Sequence, residues 1–126
     1  RVLIQPGQPL VFGRARGKFF FGLPGNPAST MVCFEVFARA ALELLSGVNE
    51  TRLPITLARC TQPFKHKPGL TRFLPAALDD CARLTPIGWA GSGDIGAMAR
   101  ANCWLVAEPD RPEYAEGDLI QVLLRG

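Results

Sequence analysis

The pattern of apolar and polar positions changes character near the middle of the chain. In the first part, "RVLIQ" (1–5) is apolar and β-branched, and Pro6-Gly7 then turns the chain. "LVFG" (10–13) and "KFFFGL" (18–23) read as two further strands joined by a short turn through Arg14 to Gly17. From Ala28 to Ser46 no Gly or Pro intervenes, which predicts a helix of about 20 residues and roughly 30 Å. Asn26 suits the N-cap, Pro27 the first helical position and Gly47 the C′ stop. A residue before proline is pushed out of αR, as an N-cap requires. Glu35, Arg39 and Glu43 recur every four residues and form one polar stripe, while Met31, Val32, Phe34, Phe37, Ala38, Ala41, Leu42 and Leu45 are apolar. A helix wetted on one stripe alone is expected to pack on a sheet or a neighbouring domain.

After "GVNETRLP" (47–54) the segments become short and β-like: "ITLARC" (55–60), "TRFLPAAL" (71–78), "ARLTPI" (82–87), "CWLVA" (103–107) and "DLIQVLL" (118–124). Only "IGAMARA" (95–101) reads as helix, for about two turns. Short strands with regular turn signals predict a small barrel or bent-ribbon β domain. The expected organisation is an α/β part over residues 1–50 and an all-β module over 51–126.

Composition narrows the function classes. With 48% hydrophobic and 20% charged residues the chain packs rather than remaining disordered. A net charge of +3 fits an anionic small molecule and is too weak for nucleic acid, which needs a concentrated basic stripe. The clusters Arg14/Arg16/Lys18 and Lys65/His66/Lys67 read as solvated turns. Cysteines 33, 60, 81 and 103 form no C-x-x-C pair and accompany a single histidine, His66, which argues against zinc. Cys33 and Cys103 lie in apolar patterns and read as buried thiols. With no signal peptide and no run of 18 apolar residues, a reducing cytoplasm and no membrane contact are expected. The chain begins inside a strand without an initiator Met, and reads as part of a longer protein.

Four stretches carry candidate chemistry. "GSGDIG" (91–96) satisfies G-x-G-x-x-G, but a two-turn helix is too short for the parallel crossover of a dinucleotide fold. It reads either as a plain turn or as an anion-holding turn presenting Ser92. "DDC" (79–81) and "AEPDRPEYAEGD" (107–118) read as solvated acidic turns. Adjacent acids in a strand face opposite ways, so Asp79 and Asp80 do not make a metal site. One histidine leaves no Ser-His-Asp or Cys-His pairing. "GLPGNPAST" (22–30) sets Pro24, Gly25, Asn26, Pro27 and Ser29 at the positive end of the long helix. It is either a stiff capped helix start that binds nothing or an anion seat.

"QPGQPLVFG…FFFGLPGNPAST…F…LSG", followed by "FLPAAL…GSGDIGAMARANCWLVAEPD…EGDLIQVLL", resembles the end of the α/β domain and the C-terminal β domain of the MoeA family. These are molybdopterin molybdenumtransferases, related to the gephyrin E domain. The resemblance covers essentially the whole chain. It implies that residues 1–50 are strands and the long helix of a MogA-like three-layer domain, and that 51–126 are domain IV. The implied activity takes adenylylated molybdopterin and molybdate with Mg²⁺, leaves molybdenum on the dithiolene and releases AMP. The implied catalytic residues are Pro24, Asn26 and Pro27. Arg1, Gln5, Gly7, Gly25, Ser29, Arg72 and Ser92 are the implied substrate contacts.

Where the family reads K-P-G-K-P, this chain has Gln5-Pro6-Gly7-Gln8-Pro9, which keeps hydrogen bonding without charge. Arg1 shares a strand face with Gln5. The Mg²⁺ carboxylates are expected upstream of Arg1, so the isolated chain is expected not to turn over. Implied partners are a second copy in the full-length protein and the molybdopterin adenylyltransferase. The alternative is a non-catalytic scaffold that holds a partner peptide, as gephyrin-like proteins do. An exposed "FFF" strand would favour association through its edge.

Overall fold

The computed structural model describes residues 3–7 and 10–125. In chain order the elements are β1 (Ile4–Gln5), β2 (Val11–Ala15), β3 (Lys18–Gly22), α1 (Pro27–Cys33), a π-helical turn (Phe34–Ala38), α2 (Arg39–Leu45), β4 (Ile55–Cys60), β5 (Phe64–Lys65), β6 (Thr71–Leu78), β7 (Arg83–Pro86), α3 (Ile95–Arg100), β8 (Cys103–Ala107), β9 (Glu113–Tyr114) and β10 (Leu119–Leu124). The five longer β segments and the helix anticipated after residue 54 are all present. The two-residue strands β5 and β9, which pair antiparallel, are too short to leave a period.

The order β6-β7-β4-β10-β8 closes on itself through a β6–β8 pairing, which makes a five-stranded barrel. β1 adds to it in parallel beside β6, with Gln5 opposite Arg72. β8 shows why the barrel needs a cover. All five of its residues are buried. Cys103, Leu105 and Ala107 point into the barrel with Ala58, Cys60, Ala76, Leu84, Ile120 and Val122. Trp104 and Val106, on the other face of the pleat, pack with Phe73, Leu123 and Met98 against Ala28 and Val32 of α1. The small interior residues suit a narrow barrel, and the helix supplies the second layer.

The helix is continuous from Pro27 to Leu45, but with a π turn in its middle, where Arg39 N–H reaches Phe34 O five residues back. Such a turn changes the phase of the helical face by one residue. The first half therefore lies on the barrel, whereas Leu42, Leu44 and Leu45 are exposed. The stripe also differs from expectation. Glu35 is buried and paired with Arg39 at 2.8 Å, so it belongs to the covered side. Asn26 has the extended backbone of an N-cap (φ −81°, ψ 133°) but its side chain makes no cap bond. Gly47 sits at φ +102°, as a C′ residue does.

β2 and β3 form a hairpin whose two-residue turn, Arg16-Gly17, has positive φ at both positions, as a type I′ turn requires. The strand runs to Ala15, so this turn is tighter than the Arg14–Gly17 stretch the pattern indicates. Phe12, Phe19 and Phe20 on the hairpin are exposed.

Lys65 pairs with Glu113 at 3.5 Å, and His66 Nε2 lies 2.7 Å from Arg111 O, so their basic cluster is tied to the β9 loop rather than merely solvated. Cys33, Cys60 and Cys103 are buried and Cys81 is exposed. No helix among the described residues is long and apolar enough to cross a membrane.

Candidate functional site

Three turns meet at one end of the barrel around a cavity of about 520 Å³. Gln5, Pro6 and Gly7 come from the turn after β1, Ser29 from the first turn of α1, Arg72 and Leu74 from β6, and Trp89 to Ser92 from the glycine turn before α3.

The topology brings these together. Parallel pairing of β1 with β6 puts Gln5 and Arg72 side by side, and Arg72 Nη1 donates to Gln5 Oε1. Arg72 Nε donates to Lys67 O at 3.0 Å. Both acceptors are neutral, and among the described residues no carboxylate pairs with Arg72. It is the one charged side chain among the described residues that line the cavity. Its guanidinium is thus oriented without being neutralised, which leaves its charge for a ligand.

The helix start and the glycine turn are tied directly. Ala28 N–H, one of the N–H groups a helix start leaves unpaired, donates to Ser92 O at 3.2 Å. Asp94 fixes the turn from behind: Oδ1 accepts from Ala97 N and Oδ2 from Ala90 N, both at 3.0 Å. Those backbone bonds, Ala97's first and then Ala90's, hold its carboxyl below its ordinary range. Gly91 adopts φ +128°, a conformation that favours glycine. Thr30 Oγ1 donates to Pro24 O and to Asn26 O, closing the proline loop onto the helix.

Gly7 is the closest fit in the wall. It has φ +121°, and a Cβ there would lie 2.8 Å from Cys33 Sγ. The Cys33 thiol points at Gly7 O, 3.7 Å away, and burial pushes its pKa up.

Of the candidate residues from the sequence, Gln5, Gly7, Ser29, Arg72 and Ser92 line the cavity together. Pro24, Gly25, Asn26 and Pro27 do not. Pro24 and Asn26 accept hydrogen bonds through their carbonyls, and Gly25 and Pro27 face solvent. Asn26 Oδ1 is buried without a partner, and its amide nitrogen sits 3.9 Å from where a Gly93 Cβ would be. Arg1 and Gln8 lie outside the described residues. Trp89 and Leu74 complete the wall. Trp89, which sequence reasoning missed, is half-buried and also packs against the cluster of Phe73, Trp104 and Val106.

The glycine turn serves no dinucleotide fold: β8, which follows α3, is antiparallel to both its neighbours. Asp79 accepts from Cys81 N and Arg83 N and pairs with the Arg83 guanidinium, so it is a turn residue. The described residues that line the cavity include no Asp, Glu or His. The described lining residues can therefore bind and stabilise an anion through a guanidinium, two hydroxyls and the Gln5 amide nitrogen, and among them there is no side-chain base for proton transfer.

Residues 57–124 match the model of the MoeA C-terminal region (domain IV). The chain is 35% identical over 123 residues to molybdopterin molybdenumtransferase 2 of Mycobacterium tuberculosis, covering 97% of this chain and 30% of that protein. It is 30% identical over 127 residues to the molybdopterin molybdenumtransferase of Staphylococcus aureus strain N315, covering 98% of this chain and 30% of that protein. A crystal structure of the MoeA molybdopterin biosynthesis protein from Pyrococcus horikoshii superposes with a TM-score of 0.81 at 27% identity, over 98% of this chain and 30% of that one. A molybdenum cofactor biosynthesis protein from Pyrococcus furiosus shares the fold, with a TM-score of 0.75 at 22% identity over 97% of this chain and 43% of that one. The chain thus spans about 30% of the length of these curated relatives. A family match over more than half of the chain places it in the MoeA family of molybdenum cofactor biosynthesis proteins.

Proposed function

We propose that this chain forms the oxyanion-binding part of an enzyme that inserts molybdate into adenylylated molybdopterin and releases AMP. The observation that carries this reading is Arg72, an oriented guanidinium with no carboxylate partner among the described residues, lining one cavity with Ser29 and Ser92. In this reading Arg72 binds the tetrahedral oxyanion, the two serine hydroxyls donate to its remaining oxygens, and the N-terminal dipole of the helix from Pro27 adds favourable potential. Pro24, Gly25, Asn26 and Pro27 hold the loop that positions Ser29. Gln5 aims Arg72, and with the family's lysine replaced, Arg72 is the one cation among the described residues that line the cavity. Residues 1–50 correspond to the end of a MogA-like α/β domain and 51–126 to domain IV.

Mg²⁺ does not fit the residues present. Among the described residues no three His, Cys, Asp or Glu side chains come together, and no carboxylate lines the cavity. The isolated chain is expected not to turn over while the full-length protein does. The full-length protein is expected to be a cytoplasmic homodimer that receives its substrate from the adenylyltransferase. One observation favours the scaffold reading: an apolar groove of about 530 Å³ between the hairpin and the second half of the helix, lined by Phe12, Phe19, Phe20, Leu42 and Leu45.

Calorimetry of molybdate against the full-length protein tests the proposal. A charge-assisted hydrogen bond is worth about 1.5–3 kcal/mol, so Arg72→Ala should weaken binding by roughly 10- to 100-fold. Ser29→Ala should weaken it several-fold, and Asn26→Ala should act indirectly by loosening the loop. Unchanged affinity in both Arg72→Ala and Ser29→Ala would contradict the proposal.

A further inference from the structure

A smaller cavity, of about 340 Å³, lies between the helix and the barrel, on another face of the helix from the oxyanion cavity. Ser29 lines the oxyanion cavity, whereas Thr30, Met31 and Phe34 line this one. Leu23, Trp104 and Arg125 close it from the hairpin and barrel sides. We propose that it is a binding site for an organic monocarboxylate with a compact apolar tail. The two cavities share no lining residue among those described, so this site stands or falls apart from the oxyanion reading.

Two donors in the wall lack acceptors. Trp104 is 1% exposed, and its Nε1–H is buried without a hydrogen-bond partner among the described residues. An indole nitrogen only donates, and a buried unpaired donor carries a desolvation cost that a ligand oxygen would relieve. Arg125 is the second donor. Its Nη1 donates to Met98 O at 2.9 Å and to Ala101 O at 2.7 Å, at the end of α3, which fixes the guanidinium in place. Among the described residues its other nitrogens have no partner, and no carboxylate pairs with it. A carboxylate answers both: its charge and paired oxygens match the guanidinium, and a lone pair is left for the indole N–H.

The rest of the lining sets the kind of carboxylate. Glu35 also borders the cavity, but both of its oxygens are held by Arg39, at 2.8 and 2.9 Å. Arg125 is the one cation among the described lining residues besides that pair. A single available cation next to a carboxylate suits one negative charge and disfavours a multiply charged phosphate, because like charges repel. The Thr30 hydroxyl is already spent on Pro24 O and Asn26 O. Leu23, Met31 and Phe34 leave an apolar surface for the tail. The volume falls at the small end of ligand pockets, which span about 300–1,000 Å³.

Calorimetry on the full-length protein with benzoate, benzamide and inorganic phosphate tests the site. Benzoate should bind about tenfold or more tightly than benzamide, which has the same shape without the charge, and phosphate should not displace it. Arg125→Gln should weaken benzoate by about tenfold or more. Leu23→Trp, which crowds the apolar wall and leaves the guanidinium alone, should weaken it similarly, whereas Arg72→Ala should leave it within about threefold. In isotope-labelled protein the indole N–H resonance of Trp104, assigned by its loss in Trp104→Phe, should move as benzoate is added. The proposal is overturned if benzoate does not bind, if benzamide binds as well, or if the Trp104 resonance stays still at saturation. It is equally overturned if Arg72→Ala, and not Arg125→Gln or Leu23→Trp, removes the binding.

Discussion

Gly7→Ala probes the junction on which the whole site rests. Gly7 follows Gln5 and Pro6 in the cavity wall and packs on the helix at Cys33. Two costs act on alanine there. The backbone sits at φ +121°, and holding a non-glycine residue in such a sparsely populated region costs about 1–3 kcal/mol. The new methyl would lie 2.8 Å from Cys33 Sγ and 3.0 Å from Ile4 Cδ1, and Cys33 is fully buried, so it has little room to retreat. Overpacking of this kind costs about 1–3 kcal/mol more. The combined loss, about 2–6 kcal/mol, is a large share of a typical domain stability of about 5–15 kcal/mol.

Urea unfolding measures this as a lower midpoint at unchanged slope. A double-mutant cycle with Cys33→Ala separates the two costs, because removing the sulfur relieves the contact and leaves the backbone cost. Gly25→Ala is the control: it has ordinary φ and no atom within 4 Å of its would-be Cβ, so it should be neutral or slightly stabilising. The reasoning is refuted if Gly7→Ala costs no more than Gly25→Ala, or if Cys33→Ala fails to recover any of the loss.

Other outcomes follow from the same geometry. The Asp94 carboxyl is depressed by its bonds to Ala97 and Ala90 N–H, so its stabilisation is present above the unfolded carboxylate range and is lost as pH falls through the lower folded value. Asp94→Asn should therefore lose stability at neutral pH, and the gap to the parent should close in acid, as read by urea midpoints from pH 7 to pH 2. Among the thiols, Cys81 is exposed, while burial raises the pKa of Cys33 and Cys60 and pushes that of Cys103 up to about 11. A thiol reagent at pH 8 should modify Cys81 rapidly and the other three only on unfolding; rapid native labelling of Cys103 would contradict the barrel interior.

Much of the fold is legible in the sequence because period and punctuation agree there. The barrel strands read correctly since turn residues bracket each β-branched run, and the helix start since Asn26-Pro27 is a local signal. The π turn is not legible, because "FEVFA" has ordinary helical composition and the extra residue is set by packing on the barrel. Burial of Glu35 is missed for the same reason, since its (i, i+4) spacing to Arg39 looks the same on either face. At the site, the sequence supplies the residues but not their division of labour. Gln5 reads as a ligand contact, yet the parallel pairing of β1 with β6 makes its oxygen a partner of Arg72. Asn26 reads as a helix cap, yet Ser92 O takes the first free N–H, a contact 64 positions away along the chain that no local pattern encodes. Trp89 is invisible as a site residue until the glycine turn folds beside β6.

The central claim is that the cavity bordered by Gln5, Ser29, Arg72 and Ser92 holds a tetrahedral oxyanion. Crystals of the full-length protein grown with molybdate, with diffraction recorded at the molybdenum absorption edge, locate the metal without reference to any assumed pose. The account predicts an anomalous peak in that cavity, within hydrogen-bond reach of Arg72 and the two serine hydroxyls through the oxygens on molybdenum. A peak at another site, with this cavity empty at molybdate concentrations that saturate binding in solution, would contradict it.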